Sequence, residues 1–211
     1  MPDLQRLRQA VLEGDSKTAA AVTQAAVDEG VAPLAIVTEH LMPAMDEVGR
    51  LFECEEYFVP EMLLAARAMK ASMGILRPLL VATGAEPVGR VVIGTVKGDL
   101  HDIGKNLVAS MLEGGGFEVI DLGADVTPDR FIEAVSTKNA NLVALSALLT
   151  VTMTAMKTTI DAFAAAGLRQ KVKIMVGGAP VTQQYADAIG ADGYSESAGA
   201  AVALARKLVA A

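Results

Sequence analysis

Between Val91 and Val108 the chain reads V-V-I-G-T-V-K-G-D-L-H-D-I-G-K-N-L-V. An apolar run leads into a glycine-rich loop holding His101, one of two histidines in the chain. Asp99 stands just before it and Asp102 directly after. A carboxylate that accepts the Nδ1 proton of an imidazole fixes the tautomer and leaves Nε2 free as a base or metal ligand. Gly98 and Gly104 supply permissive backbone on either side and leave room for a bulky group.

Three chemistries compete for such a loop. Gly98 to Gly104-Lys105-Asn106 approaches a phosphate-binding loop, but it is one residue too long. Asn106 also stands where a Ser or Thr would hold magnesium, and no G-x-G-x-x-G fingerprint is present. As a hydrolytic base, His101 would need a nucleophile, and Ser146 lies outside any G-x-S-x-G elbow. A metal held by this chain alone is hard to build. The other histidine is His40, the single thiol is Cys54, and a zinc site needs three or four protein ligands. A metal at His101 would therefore bring its other ligands with it, as a macrocycle does. His40 and Cys54 are expected to have no chemical role.

Residues from about 3 to 80 carry helical periodicity: Leu4, Leu7 and Val11; then Leu34, Val37, Leu41, Met45, Val48 and Phe52; then Val59, Met62, Leu63, Ala66, Met69, Met73 and Leu76. Gly14-Asp15-Ser16 reads as a helix stop followed by an N-cap. Gly30-Val31-Ala32-Pro33 reads the same way, with proline in the first turn. These signals predict a four-helix bundle over 1–82, with Pro43 kinking or shortening the third helix. Residues 83–89 form a Gly- and Pro-containing linker. From 90 to 211, β-rich runs alternate with helices. Strands are expected at Val91–Val96, Phe117–Leu122, Leu142–Ser146, Val172–Val176 and Asp192–Tyr194. Helices are expected near 103–114, 128–138, 153–166, 182–189 and 197–210. This alternation predicts a five-stranded parallel sheet in the flavodoxin-like order 2-1-3-4-5, with helices on both faces. The class is α/β, a helical bundle followed by a Rossmann-like domain.

In such sheets, ligands bind at the carboxyl ends of the strands around the switch point. There the sequence places Lys97–Gly104 after strand one, Ser146–Thr152 after strand three, and Gly177-Gly178-Ala179-Pro180 after strand four. The net charge is −7 and Lys and Arg form no cluster, which argues against a nucleic-acid partner. No apolar run approaches the ~20 residues of a membrane span. One cysteine excludes an internal disulfide. A cytoplasmic protein without membrane partners is expected. With no tryptophan and ten methionines, the bundle has soft walls (Met42, Met45, Met62, Met69, Met73) that suit core packing or a flat apolar ligand.

Asp99-x-His101-x-x-Gly104 resembles the D-x-H-x-x-G motif of base-off, histidine-on cobalamin-binding domains. Ser146-x-Leu148 and Gly177-Gly178 resemble that family's S-x-L and G-G elements, in the same order and after the same strands. In the helical half, Met45–Glu53, Phe58–Glu61 and Ala65–Lys70 are similar to its cap. The resemblance is to the methyltransferase corrinoid proteins and the cobalamin-binding module of methionine synthase.

It implies a cobalamin cofactor, methylcobalamin or a related corrinoid, whose dimethylbenzimidazole tail leaves cobalt and enters the strand-end loops. His101 would then be the lower ligand and Asp99 its hydrogen-bond partner, linked on to the hydroxyl of Thr152. Asp102, Gly104, Ser146, Leu148, Thr150, Gly177 and Gly178 would line the cofactor, with Lys105 and Asn106 near a phosphate. Phe52, Val59 and Met62 would cover the upper face. These 211 residues have no room for the homocysteine, folate and activation modules of methionine synthase or a mutase barrel, and the helical half looks like a cap and not like a helix-turn-helix. The expectation is a methyl carrier that is no enzyme on its own. Gly94–Asn106 looks most like corrinoid proteins of bacterial O-demethylase systems, which act on methoxylated aromatics. Methylamine and quaternary-amine carriers are the alternative, with a cobalamin-binding regulatory domain behind them. The implied partners are a substrate-specific methyltransferase, a second methyltransferase acting on tetrahydrofolate, and a reductive activator.

Overall fold

The computed structural model describes residues 3–210. The chain divides into two compact units at Pro87 and Val88, with the short segment Glu113–Gly116 belonging to the first. The first unit contains α1 (Leu4–Leu12), α2 (Ser16–Asp28), α3 (Pro33–Ala35), a π-helical stretch (Ile36–Leu41), α4 (Met42–Glu53) and α5 (Val59–Ala82). Gly14 takes φ +71 after α1, and Asp15 then caps α2 by accepting from the Thr18 N–H at 3.0 Å and its hydroxyl at 2.6 Å. Of the apolar positions in the helical periods, Leu7, Val11, Val37, Leu41, Met45, Val48, Met62, Met69 and Leu76 are buried, while Leu34, Val59 and Leu63 are exposed.

The helix does not end at Pro43. Helical residues run without a break from Pro33 to Glu53, and the turn before the proline widens: the Met42 N–H donates to the Val37 carbonyl, five residues back. In an α-helix the ring would press on the carbonyl four residues earlier. The π-helical turn relieves that pressure where the sequence reading expected a kink or a stop.

Thr23 on α2 and Ser72 on α5 are both fully buried, and the Thr23 hydroxyl donates to Ser72 Oγ at 2.9 Å. Thr23→Val should lower stability by about 1–2 kcal/mol, because it strands the serine hydroxyl. Adding Ser72→Ala should recover part of that loss in a double-mutant denaturation cycle.

The second unit holds β1 (Arg90–Thr95), α6 (Ile103–Gly114), β2 (Glu118–Asp121), α7 (Pro128–Lys138), β3 (Leu142–Ser146), α8 (Thr154–Ala165), β4 (Lys173–Gly177), α9 (Gln183–Ile189), β5 (Gly193–Tyr194) and α10 (Ala198–Val209). The sheet is parallel in the order β2-β1-β3-β4-β5, as the β/α alternation predicted. Its central strands read as continuous apolar runs because both faces are covered. Val92, Val143, Leu145 and Ile174 pack with Phe131, Met156 and Phe163 in one core. Register sets Thr95 beside Ser146, and Ser146 beside Gly177. Three strands thus end in line, and the loops that follow leave from one edge. Among the described residues no helix is long and apolar enough to cross a membrane.

Candidate functional site

At that edge lies a buried carboxylate. Asp99 has no exposed surface. Its Oδ1 accepts from the His101 N–H at 3.1 Å and faces His101 Nδ1 at 2.8 Å. Its Oδ2 accepts from the Thr152 hydroxyl at 2.6 Å and from the N–H groups of Leu148 at 2.8 Å and Leu149 at 3.3 Å. Burial pushes the Asp99 carboxyl up. The donors from Thr152, Leu148 and His101 outweigh it and hold the group well below the usual carboxylate range. An ionised Asp99 accepts only, so the Nδ1 atom carries the proton and Nε2 keeps its lone pair. The histidine side chain is 51% exposed while its partner is buried. This is the arrangement of a ligand or base held from behind.

The loop itself is fastened at several points. The Gly98 N–H donates to Asp125 Oδ1 at 2.7 Å, and the Asp125 N–H donates to the Asp99 carbonyl at 2.9 Å. Gly98 sits at φ +86, so its own backbone requires glycine there. Of the two roles expected of that glycine, permissive backbone and room for a bulky group, this geometry accounts for the first. Gly104 is different: a Cβ added there would meet nothing within 4 Å. Asp102 is exposed, and its carbonyl accepts from the Asn106 N–H at 2.7 Å as α6 begins. Lys105 is buried, with Nζ 2.5–2.6 Å from both Asp121 carboxylate oxygens and 2.5 Å from Asn106 Oδ1. Its charge is committed inside the protein, at odds with the expected phosphate contact.

Ser146 ends β3, half-buried, and its carbonyl accepts from the Val96 N–H at 3.0 Å. Leu148 joins the cluster through its main chain, while Thr150 is exposed and takes no part in it. Gly177 ends β4, and Gly178 follows at φ +126. Phe52, Val59 and Met62 belong to the first unit, around the connection from α4 to α5. Phe52 is half-buried, Val59 exposed and Met62 fully buried. Sequence reasoning missed Leu149, Thr95, Asp125 and the Lys105–Asp121 pair. The Leu149 contact is made by a main-chain N–H, which leaves no mark in a sequence.

A model described as a B12 binding domain matches residues 89–203, and a second model of the same description matches residues 3–77. The chain belongs to the B12-binding corrinoid proteins. It is 44% identical over 209 residues to a dimethylamine corrinoid protein of Methanosarcina barkeri, covering 98% of this chain and 97% of that one. Among solved structures, a cobalamin-binding protein from Desulfitobacterium hafniense DCB-2 superposes with a TM-score of 0.81 at 33% identity, covering 99% of each chain. The methanol:cobalamin methyltransferase complex MtaBC from Methanosarcina barkeri gives 0.86 at 31% identity, covering 98% of this chain and 79% of that one.

Its cofactor is a corrinoid, and the surface around His101 fits one. Leu100, Ile103 and Val151 are 75–78% exposed, and Leu148 and Leu149 are exposed as well. Five aliphatic side chains, from the histidine's own loop, the start of α6 and the segment after β3, face water, as a flat apolar ligand requires. Among the described residues, no group of three or more His, Cys, Asp or Glu side chains could hold a metal ion. A macrocycle that supplies its own equatorial ligands suits a single protein ligand.

Proposed function

We propose that this chain is the methyl-carrying corrinoid subunit of a multi-component methyltransferase system, with a methylated amine as methyl donor. The observation that carries the first part is the exposed His101 backed by buried Asp99. The likeness to a dimethylamine corrinoid protein carries the second. It favours an amine over the methoxylated aromatic suggested by Gly94–Asn106. The bound corrinoid supplies a cobalt ion on which a methyl group can be held and released.

The protein's own part is to present and withdraw one nitrogen. His101 Nε2 would be the protein ligand to the metal, and Asp99 accepts from Nδ1, so the ring keeps the ligating tautomer. The Asp99 carboxylate stands beside Nδ1 as its fixed hydrogen-bond acceptor. Thr152 and the Leu148 N–H keep that carboxylate in place and ionised. Ser146, Gly177 and Gly178, at the neighbouring strand ends, border the cofactor tail. Leu148 lies on the apolar surface that meets the ring, and Gly104 leaves clearance there. Residues 1–82 would serve as the cap, with Phe52, Val59 and Met62 assigned to the upper face, and 83–89 as the hinge that would let separate enzymes reach the metal. The partners this reading calls for would be one methyltransferase specific for the methyl donor, a second acting on tetrahydrofolate, and a reductive activator. The chain catalyses neither transfer alone.

His101→Ala should abolish the nitrogen splitting in the Co(II) electron paramagnetic resonance spectrum and weaken corrinoid retention more than tenfold. Splitting that survives would remove His101 as the ligand. Methyl donors offered with their cognate methyltransferases should load the carrier from a methylamine and not from a methoxylated aromatic. The reverse result would return the donor to the O-demethylase class.

A further inference from the structure

Thr95 is the last residue of β1 and has no exposed surface. Its hydroxyl donates to the main-chain carbonyl of His101 at 2.8 Å. The N–H of the same histidine residue donates to Asp99. The main chain of His101 is therefore gripped on both sides, by a carboxylate at its amide and by a threonine at its carbonyl. Thr95 is itself held rigidly. Its N–H donates to the Gly123 carbonyl at 2.9 Å, the Gly123 N–H donates to Asp121 Oδ1 at 2.8 Å, and Asp121 is clamped by buried Lys105. A chain of bonds thus runs from a buried ammonium on α6, through the end of β2, to the carbonyl of the histidine.

We propose that Thr95 is a positioning residue that fixes the main chain of His101, so that the imidazole leaves and rejoins the metal by side-chain rotation alone. The inference rests on reading His101 as the lower ligand. A ligand on a fixed stalk loses little freedom when it rejoins, because its backbone is already ordered. Without the Thr95 bond the loop becomes mobile, and each return must order it again. The share of ligated histidine then falls, although the ring and Asp99 are untouched.

Valine keeps the shape and the strand preference of threonine and removes only the hydroxyl. Thr95→Val should lower the ratio of histidine-on to histidine-off Co(II) protein about fivefold, the equivalent of one neutral hydrogen bond. The measurement is the nitrogen splitting in electron paramagnetic resonance, and Thr95→Ser should restore it. In the cofactor-free chain, Thr95→Val should speed amide exchange over residues 99–104, with the melting temperature close to that of the parent. Unchanged splitting and unchanged exchange in Thr95→Val would overturn the inference. So would a failure of serine to rescue. If the parent protein itself shows no nitrogen splitting, the reading of His101 as ligand fails. The exchange data on the cofactor-free chain then still decide whether Thr95 holds the loop.

Discussion

Replacing Asp99 by asparagine should remove histidine ligation even though the imidazole remains. Five donors converge on this side chain: the Thr152 hydroxyl, the Leu148, Leu149 and His101 N–H groups, and His101 Nδ1. Asparagine offers one acceptor oxygen and turns its amide N–H2 toward the remaining donors. If the oxygen stays with Thr152 and Leu148, the amide meets Nδ1. The imidazole then relieves the clash by accepting at Nδ1 and carrying its proton on Nε2. That tautomer has no lone pair to give a metal. The expected result is loss of the nitrogen splitting together with a stability decrease of about 2–4 kcal/mol from the stranded buried donors. Wild-type stability and wild-type splitting in Asp99→Asn would remove the carboxylate from the site.

The acid limb of the stability curve gives a second reading of the same group. The folded-state pKa of Asp99 is depressed. Its contribution is therefore fully present above the ordinary carboxylate pKa. It persists through mildly acidic pH and disappears only as pH falls through the lower folded value. Asp99→Asn should lose that component of the acid transition.

Gly178→Ala should have an effect of similar size for a steric reason. A Cβ at Gly178 would stand 1.9 Å from the main-chain carbonyl oxygen of Ala147, at a φ of +126. Neither side can yield without moving the loop that carries the Leu148 N–H to Asp99. A stability loss of about 2–4 kcal/mol is expected in denaturant titrations, with corrinoid uptake lost alongside it. Gly104→Ala is the contrasting variant. Its new methyl group enters open space on a helix, so stability should hold or rise slightly, and only corrinoid binding should report the change. An unperturbed Gly178→Ala would show that the two loops are not packed as described.

The β/α alternation, the strand order and the loop histidine were all legible from residue type and spacing. Strand burial is encoded in runs such as Val91–Ile93 and Leu142–Leu145, and helix starts in Pro128 and Asp15. The anchoring of the histidine was only partly legible. Asp99 could be named because a carboxylate near an imidazole has few other uses, and Thr152 through the family resemblance. Two of the donors to Asp99 are main-chain N–H groups of Leu148 and Leu149, which any residue would supply. Asp125 adopts φ +53 without being glycine, so residue type alone does not mark it as the one that reaches Gly98. Lys105 looked like an anion binder from its place at a helix start. Only the fold shows Asp121 filling that role from the end of β2.

The widened turn at Ile36–Leu41 bears on how this family can vary in length. A π-helical turn stores one residue more than an α-helical turn of the same rise. Loss of a single residue from this stretch would close it to an ordinary α-helix and leave Met45 and Val48 facing the same way. Pro43 would then stand in an α-helical interior, pressing on the carbonyl four residues back. Insertion and proline are therefore coupled characters. A relative one residue shorter here is expected to have replaced the proline, and a relative that keeps the proline to have kept the extra residue.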